Sequence, residues 1–298
     1  MVGGFQIIGQ VCAFARVNWS NPISFDLNRY AGMQLSNWKR FTGAGKINRR
    51  RFLAGLVLSS PFIAFGDAKW VEPGWVRTRT VHLRRGTANH RFVHITDIHH
   101  KGDHAYLESV VKKVNALSPE FVCFTGDLIE ETKYLPEALE LMGKIKSPVY
   151  GVPGNHDYWS KAPFDGFVKC FAGTGGGWLM DEQRVTTDGQ FTITGATCLS
   201  SRQAPLSANA ATQNIFLMHF PAWVKKAGKY DLLLAGHSHG GQVRLPFYGP
   251  LIVPYGVDEF DMGLFHTTAG PLYVNPGIGW FPVPIRFNCR PEITVFEI

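Results

Sequence analysis

At 298 residues and 33.2 kDa, 45% apolar and 18% charged, the chain is long and apolar enough to bury a sizeable core, which excludes a disordered polymer. Its 22 Phe and 8 Trp require large packed layers and its 32 Gly and 18 Pro require many tight connections, so a plain helical bundle is excluded too. The net charge of +7 invites a nucleic-acid reading, but residues 1–51 hold eight basic side chains against the single acid Asp26 and carry the whole surplus, leaving a neutral body and no nucleic-acid partner.

The basic head ends in Asn48-Arg49-Arg50-Arg51-Phe52-Leu53, and an apolar run over residues 52–66 follows before Asp67 and Lys69. That run is short for a spanning helix, which needs about 20 apolar residues, and Ser59, Ser60 and Pro61 weaken it further. The twin Arg followed by one residue, then Phe and Leu, resembles a twin-arginine export signal, with Ala64, Gly66 and Ala68 offering a cleavage region. The long stretch ahead of the pair makes Met33 a second candidate start. Residues 1–68 are therefore read as a signal or anchor extension and residues 69–298 as one domain. Its expected location is periplasmic or membrane-associated after export, with the export machinery and a membrane surface as partners. The plainer reading is a basic head leading into an ordinary helix. Cys12, Cys123, Cys170, Cys198 and Cys289 show no C-x-x-C spacing, hence no structural zinc knot, and Cys123 reads as a small buried hydrophobe.

Within the body, residues 91–96 form a short apolar strand ending at Asp97, and residues 106–117 carry apolar side chains at helical spacing with Lys112 and Lys113 outward. Residues 121–124 form a second strand ending at Gly126-Asp127, residues 136–142 a helix, and residues 149–152 a third strand stopping at Pro153-Gly154-Asn155. This is a β-α-β rhythm. From 173 to 200 Gly-rich turns and the alternation of Phe191 and Ile193 with Thr192 and Thr194 predict antiparallel strands. Residues 215–218 run into His219, residues 231–234 into Gly236-His237, and residues 293–298 close the fold. The predicted class is α/β, two mixed sheets with flanking helices.

Polar clusters stand at five strand ends: Asp97-Ile98-His99, Gly126-Asp127, Gly154-Asn155-His156-Asp157, Met218-His219 and Gly236-His237-Ser238-His239. Side chains two apart on extended backbone share a face, so Asp97 with His99, and His237 with His239, can each aim at one small volume. Carboxylate oxygens mixed with imidazoles suit Mn, Fe, Zn or Ni rather than calcium, and a shared carboxylate makes the set sufficient for two ions. His82, His90, His94, His104 and His266 lack ligand spacing, whereas His100 follows His99 and could border a substrate. Gly173-Thr174-Gly175-Gly176-Gly177 reads as a turn, since no helix with Lys follows it.

The order of these motifs resembles the calcineurin-like metallophosphoesterase superfamily, over about residues 92–298. The resemblance implies that Asp97, His99, Asp127 and His239 bind one ion, and that Asp127, Asn155, His219 and His237 bind the other. It also implies a four-layer α/β/β/α sandwich of two mixed sheets packed face to face. Two divalent ions, with Mn favoured, would then lower the pKa of a bridging water, supply hydroxide for in-line attack and clamp the phosphoryl oxygens. In this family pattern His156 becomes the general acid and Asp157 the group that holds its imidazole.

Residues 236–246 and 284–293 resemble more narrowly a bacterial branch of exported or membrane-linked phosphodiesterases, related to the UDP-2,3-diacylglucosamine pyrophosphatases of lipid A synthesis. Arg244 and Arg286 are candidates to grip a substrate phosphate, each equally suited to pair with a carboxylate. Residues 247–255 and 280–283 read either as an apolar lip for acyl chains or as ordinary loop packing. The expected function is a metal-dependent phosphoester hydrolase, a phosphodiesterase or phosphatase whose substrate could be lipid-linked. The pyrophosphatase is the alternative and a non-catalytic scaffold comes last. Export argues against a UDP substrate, which is made inside the cell.

Overall fold

The computed structural model describes residues 48–83, 89–197 and 208–298. Met33, Cys12, Cys198 and most of the basic head lie outside the described residues. Two compact units divide the chain, Met1–Leu56 and Val57–Ile298, and their boundary falls within helix α1 (Arg49–Gly66). Helical backbone does not stop where the apolar run does: a π turn (Asp67–Val71) and a 3-10 turn (Glu72–Gly74) prolong it. The segment Phe52–Gly74 spans 23 residues, its most apolar 18-residue window has a mean hydropathy of 1.2, and by length and composition alone it is long and apolar enough to cross a membrane. Hydropathy alone ended the run at Asp67; backbone hydrogen bonding carries on past it. Leu58 and Phe62 on this helix are exposed. The root of the helix is fastened to the body. Arg286 N–H donates to the Ala68 carbonyl (2.9 Å), and the Glu72 carboxylate accepts from the amides of Asn288 (2.9 Å) and Cys289 (3.0 Å).

The first half of the body alternates strands with helices: β1 (Arg77–His82), β2 (Arg91–Ile95), α2 (His104–Ala116), β3 (Val122–Phe124), α3 (Leu135–Met142), β4 (Val149–Gly151), α4 (Asn155–Trp159), α5 (Phe164–Gly173) and β5 (Gly177–Trp178). Helix α2 starts where the Asp103 side chain accepts from the Tyr106 amide, and it buries Leu107, Val110, Val111 and Val114, spaced by three and four. The second half is mostly strands: β6 (Glu182–Val185), β7 (Phe191–Gly195), β8 (Gln213–Leu217), β9 (Leu232–Ala235), β10 (Arg244–Leu245), β11 (Gly249–Pro250), β12 (Gly263–Thr267), β13 (Gly270–Val274) and β14 (Glu292–Glu297).

Two six-stranded mixed sheets result, ordered β1-β14-β2-β3-β4-β5 and β12-β13-β9-β8-β7-β6. The C-terminal strand β14 enters the first sheet between β1, to which it is parallel, and β2, to which it is antiparallel. Phe92, Cys123 and Phe296 from the first sheet and Ile193, Leu217 and Leu234 from the second share one buried cluster, so the sheets pack face to face as the family resemblance implies. Helices α2, α3 and α5 cover the outer face of the first sheet through Val111, Leu141 and Phe171. Over the second sheet the cover is a 3-10 helix (Pro221–Lys226) with Phe260, packed on Phe216, Leu233 and Leu272.

Strand β7 differs from its antiparallel expectation. It pairs antiparallel with β6 but parallel with β8, and its Thr face is buried as well as its Phe/Ile face. Both hydroxyls find partners: Thr192 Oγ1 lies 2.6 Å from Thr212 Oγ1, and Thr194 Oγ1 accepts from Gln183 Nε2 at 3.1 Å. An alternating pattern signals a wet face only when nothing covers the polar side.

Candidate metal centre

Strands β2, β3 and β4 run parallel in one sheet, and β8 and β9 run parallel in the other. Parallel strands place their carboxyl ends along one edge, where open α/β sheets hold their ligands. All five polar clusters follow such ends: Asp97 after β2, Asp127 after β3, Asn155 after β4, His219 after β8 and His237 after β9. Cross-sheet contact brings the two edges together. The His237 amide donates to Asp97 Oδ2 (2.9 Å), and a side chain at Gly236 would strike Thr96 Oγ1 and Asp97 Oδ2, so glycine is needed there. Gly154 is similarly pressed against Asp127.

The buried donors form two groups around one oxygen. In the first, His99 Nε2 lies 3.0 Å from His239 Nε2, 3.7 Å from Asp97 Oδ1 and 3.6 Å from Asp127 Oδ2. In the second, His219 Nε2 lies 3.2 Å from the same Asp127 Oδ2, 3.0 Å from Asn155 Oδ1 and 3.1 Å from His237 Nδ1. All seven side chains that the resemblance nominates are thus brought together, with Asp127 between the groups. Their backbone is strained to do it: Asp97, His99, Asp127, His237 and His239 have φ between 45° and 65°, a left-handed conformation that non-glycine residues rarely adopt.

Second contacts aim the rings. The Thr125 carbonyl meets His219 Nδ1 at 2.7 Å, the Tyr255 carbonyl meets His237 Nε2 at 2.8 Å, and a Glu130 carboxylate oxygen meets His99 Nδ1. Electrostatics supplies the fit test for cations. Burial opposes charge on Asp97, yet His239 and His99 hold its carboxyl well below the ordinary range; Asp127 is held low by His219 in the same way. In return the carboxylates overcome burial at His99 and His219 and raise each to about 9. Burial and the neighbouring His219 charge push His237 down to about 4. Two buried carboxylates therefore demand positive charge, and His99 and His219 meet it with protons. Divalent cations meet the same demand with an oxygen and nitrogen donor set that suits transition metals, releasing those protons. The residues fit a pair of cations.

The remaining expectations divide. His156 stands at the site: its amide donates to Asp127 Oδ1 (2.7 Å), and its ring centre is 4.7 Å from that of His99. Asp157 does not hold that ring. Its carboxylate accepts from the backbone amides of Asp127 (2.8 Å), Leu128 (2.9 Å) and Gly154 (2.9 Å), while burial and the Asp127 charge push it up to about 7. It braces the β3 and β4 loops against each other. Glu130 meets His156 instead, with Oε2 at 3.2 Å from Nδ1. Hydrogen bonds to His156 and His99 overcome the effect of burial and hold Glu130 down to about 2. Sequence reasoning missed it, although the Glu130-Glu131 pair directly behind apolar Leu128 and Ile129, three residues after Asp127, is an available signal.

His100 does not border a substrate; it is buried against α3, Nε2 2.9 Å from Glu137 Oε2. Arg244 pairs with Asp261 (2.7 Å) and the Gly240 carbonyl (2.9 Å). Arg286 is fully buried and donates to the carbonyls of Pro276 (2.9 Å), Gly279 and Cys289 (3.0 Å), which removes it from any phosphate. Its work is structural. Arg286→Met keeps most of the volume and none of these bonds, so it is expected to cost about 3–5 kcal/mol of stability in a urea titration. An unchanged midpoint would refute that role. Cys123 is buried, as expected, and Cys123, Cys170 and Cys289 are free thiols. His94 is a hydrogen-bonded core residue, 2.8 Å from Thr125 Oγ1.

A family model described as calcineurin-like phosphoesterase matches residues 90–241, from the start of β2 through the loop bearing His237 and His239. The chain belongs to that family. The uncharacterized metallophosphoesterase YkuE of Bacillus subtilis (strain 168) is 29% identical over 85% of this chain and 98% of its own length. Phosphodiesterase YaeI of Escherichia coli (strain K12) is 26% identical over 85% and 99%. UDP-2,3-diacylglucosamine pyrophosphatase LpxG of Chlamydia trachomatis is 26% identical over 81% and 94%. The phosphoesterase is thereby a hydrolase of phosphoesters, of a family that typically uses a dinuclear metal centre.

Proposed function

We propose that this phosphoesterase is a phosphodiesterase that works with two divalent cations, manganese first among them, after export to the periplasm or at a membrane. The observation that carries the reading is Asp127 Oδ2, shared between two donor groups at 3.6 Å from His99 Nε2 and 3.2 Å from His219 Nε2. Asp97, His99, Asp127 and His239 would hold one cation, and Asp127, Asn155, His219 and His237 the other. Bound there, such a pair supplies Lewis acidity, polarising the phosphoryl group and making water a competent nucleophile near neutral pH.

The protein's own part is to aim and to protonate. Glu130 engages His156 Nδ1, which leaves Nε2 as the nitrogen that carries a proton to the leaving oxygen. Phe281 meets the same ring edge-on at 4.3 Å and Trp159 meets it at a tilt at 4.8 Å, so aromatic contacts help to fix its orientation. Cleavage of a UDP-linked diphosphate is the weaker reading, because Arg244 and Arg286 are engaged elsewhere. The apolar segment Phe52–Gly74 behind the Arg49-Arg50 pair supports export or anchoring.

Purified protein supplied with Mn is expected to hydrolyse bis(p-nitrophenyl) phosphate. Chelation should lower the rate by more than about 10²-fold, since the ions contribute several kcal/mol, and added Mn should restore it. Absence of metal-dependent turnover with a panel of mono- and diesters would reject the proposal.

A further inference from the structure

The candidate metal centre opens into a cleft of about 490 Å³. One wall is Asp127, Asn155, His237 and His239; the other is Leu251, Ile252, Pro254, Phe281 and Val283. The apolar wall begins at the candidate centre itself, because the Phe281 ring stacks on His99 at 5.8 Å and meets His156 edge-on at 4.3 Å. It ends in solvent, with Ile252 80%, Leu251 50% and Val283 48% exposed. Uncovered aliphatic side chains beside a polar site mark a surface made to be covered.

Charge narrows what covers it. No Lys or Arg is among the described residues that line the cleft. A nucleotide or a polyphosphate would place one phosphate at the cations and leave the rest unmatched. A single phosphate carrying a hydrocarbon chain matches both walls at once. A second observation agrees. The segment that carries Phe281 and Val283 runs on to Asn288 and Cys289, whose amides hold Glu72 at the root of the exposed apolar helix. The cleft rim and the lipid-compatible helix are thus joined through one short stretch of chain.

We infer that Leu251, Ile252, Pro254, Phe281 and Val283 form a binding site for the hydrocarbon chain of the substrate, and that the substrate is an amphiphile with one phosphate. The inference deepens the phosphodiesterase reading and takes from it only where the phosphate sits.

The test is calorimetric titration of the Mn-loaded full chain with ethyl-, hexyl- and decylphosphonate below their micelle concentrations. No bond is broken, so binding is read apart from turnover. Affinity is expected to rise about two- to fourfold per methylene, the range between half and full burial of each added group. Ile252→Asp and, separately, Val283→Asp should collapse the ratio of decyl to ethyl affinity. Equal affinity for the three phosphonates, a ratio unmoved by both substitutions, or tighter binding of a nucleoside diphosphate than of decylphosphonate would each overturn the inference. Chain-dependent binding by a preparation that hydrolyses no ester would uphold the chain site and reject the hydrolase reading instead.

Discussion

Asp127→Asn is expected to strip both cations from the protein and to take essentially all turnover with them. Asp127 Oδ2 faces both donor groups, so the amide removes a negative charge from two sites in a single step. Loss of a group that merely orients a ligand costs about 10–100-fold in metal affinity, and loss of a shared ligand charge should cost at least about 10²-fold at each site. The substitution is close to isosteric, and a side-chain oxygen can still accept the His156 amide as Asp127 Oδ1 does at 2.7 Å, so the fold should hold. Metal content after dialysis, measured by inductively coupled plasma mass spectrometry, reads the result directly. Two equivalents of metal retained by a folded Asp127→Asn protein would show that this carboxylate is not the bridge.

His156→Ala separates the chemistry from the metal. It is expected to retain both cations and to lose about 10²–10⁴-fold in kcat, the usual contribution of a positioned general acid. His156 touches the centre through its backbone amide, which alanine keeps, and through its ring, which alanine deletes. The loss should be greatest for esters with poor leaving groups and smallest for p-nitrophenyl esters, whose leaving oxygen needs little help. A uniform loss across leaving groups with full metal occupancy would assign His156 to binding, and loss of metal would make it a ligand, a result consistent with its position within reach of His99 and Asp127.

Much of this was legible in the chain because it is local. The pairs Asp97/His99 and His237/His239 declare a shared face through covalent geometry, and the apolar runs ahead of them declare buried strands whose ends must be near one another. The strands β2, β3, β4, β8 and β9 therefore fall where periodicity places them, within a residue or two. The edge strands do not. β1 is built from Arg77–His82, mostly exposed side chains without an apolar pattern, and it exists because β14 lies beside it from the far end of the sequence. The apolar run ends at Gly66 with α1, as hydropathy places it, whereas the π and 3-10 turns that continue the helical backbone to Gly74 are not legible in hydropathy, which counts side chains and not backbone bonds.

The partner that the family resemblance implies for His156, Asp157, is not the one the structure places at its ring. Asp157 is adjacent in the chain, but at the start of α4 its side chain turns back onto the Gly154, Asp127 and Leu128 amides, and Glu130 reaches the imidazole from the neighbouring loop. Arg286 was likewise an attractive phosphate ligand as a residue type and proved to be the peg of a loop whose carbonyls converge on it. Nothing in their spacing distinguishes these outcomes.

The sequence by itself determined the inventory and order of the candidate metal donors, the strands that carry them, and the neutral body behind a basic and then apolar N-terminal segment. The tertiary structure alone decided that Asp127 stands between the two groups, that Glu130 rather than Asp157 serves His156, that both arginines are occupied, and that the centre opens onto an apolar wall. The division has a physical cause. Side-chain alternation along a strand follows from bond geometry within a few residues, whereas contacts between segments tens to hundreds of residues apart arise only when two sheets pack and the loops at their ends compete for the same space.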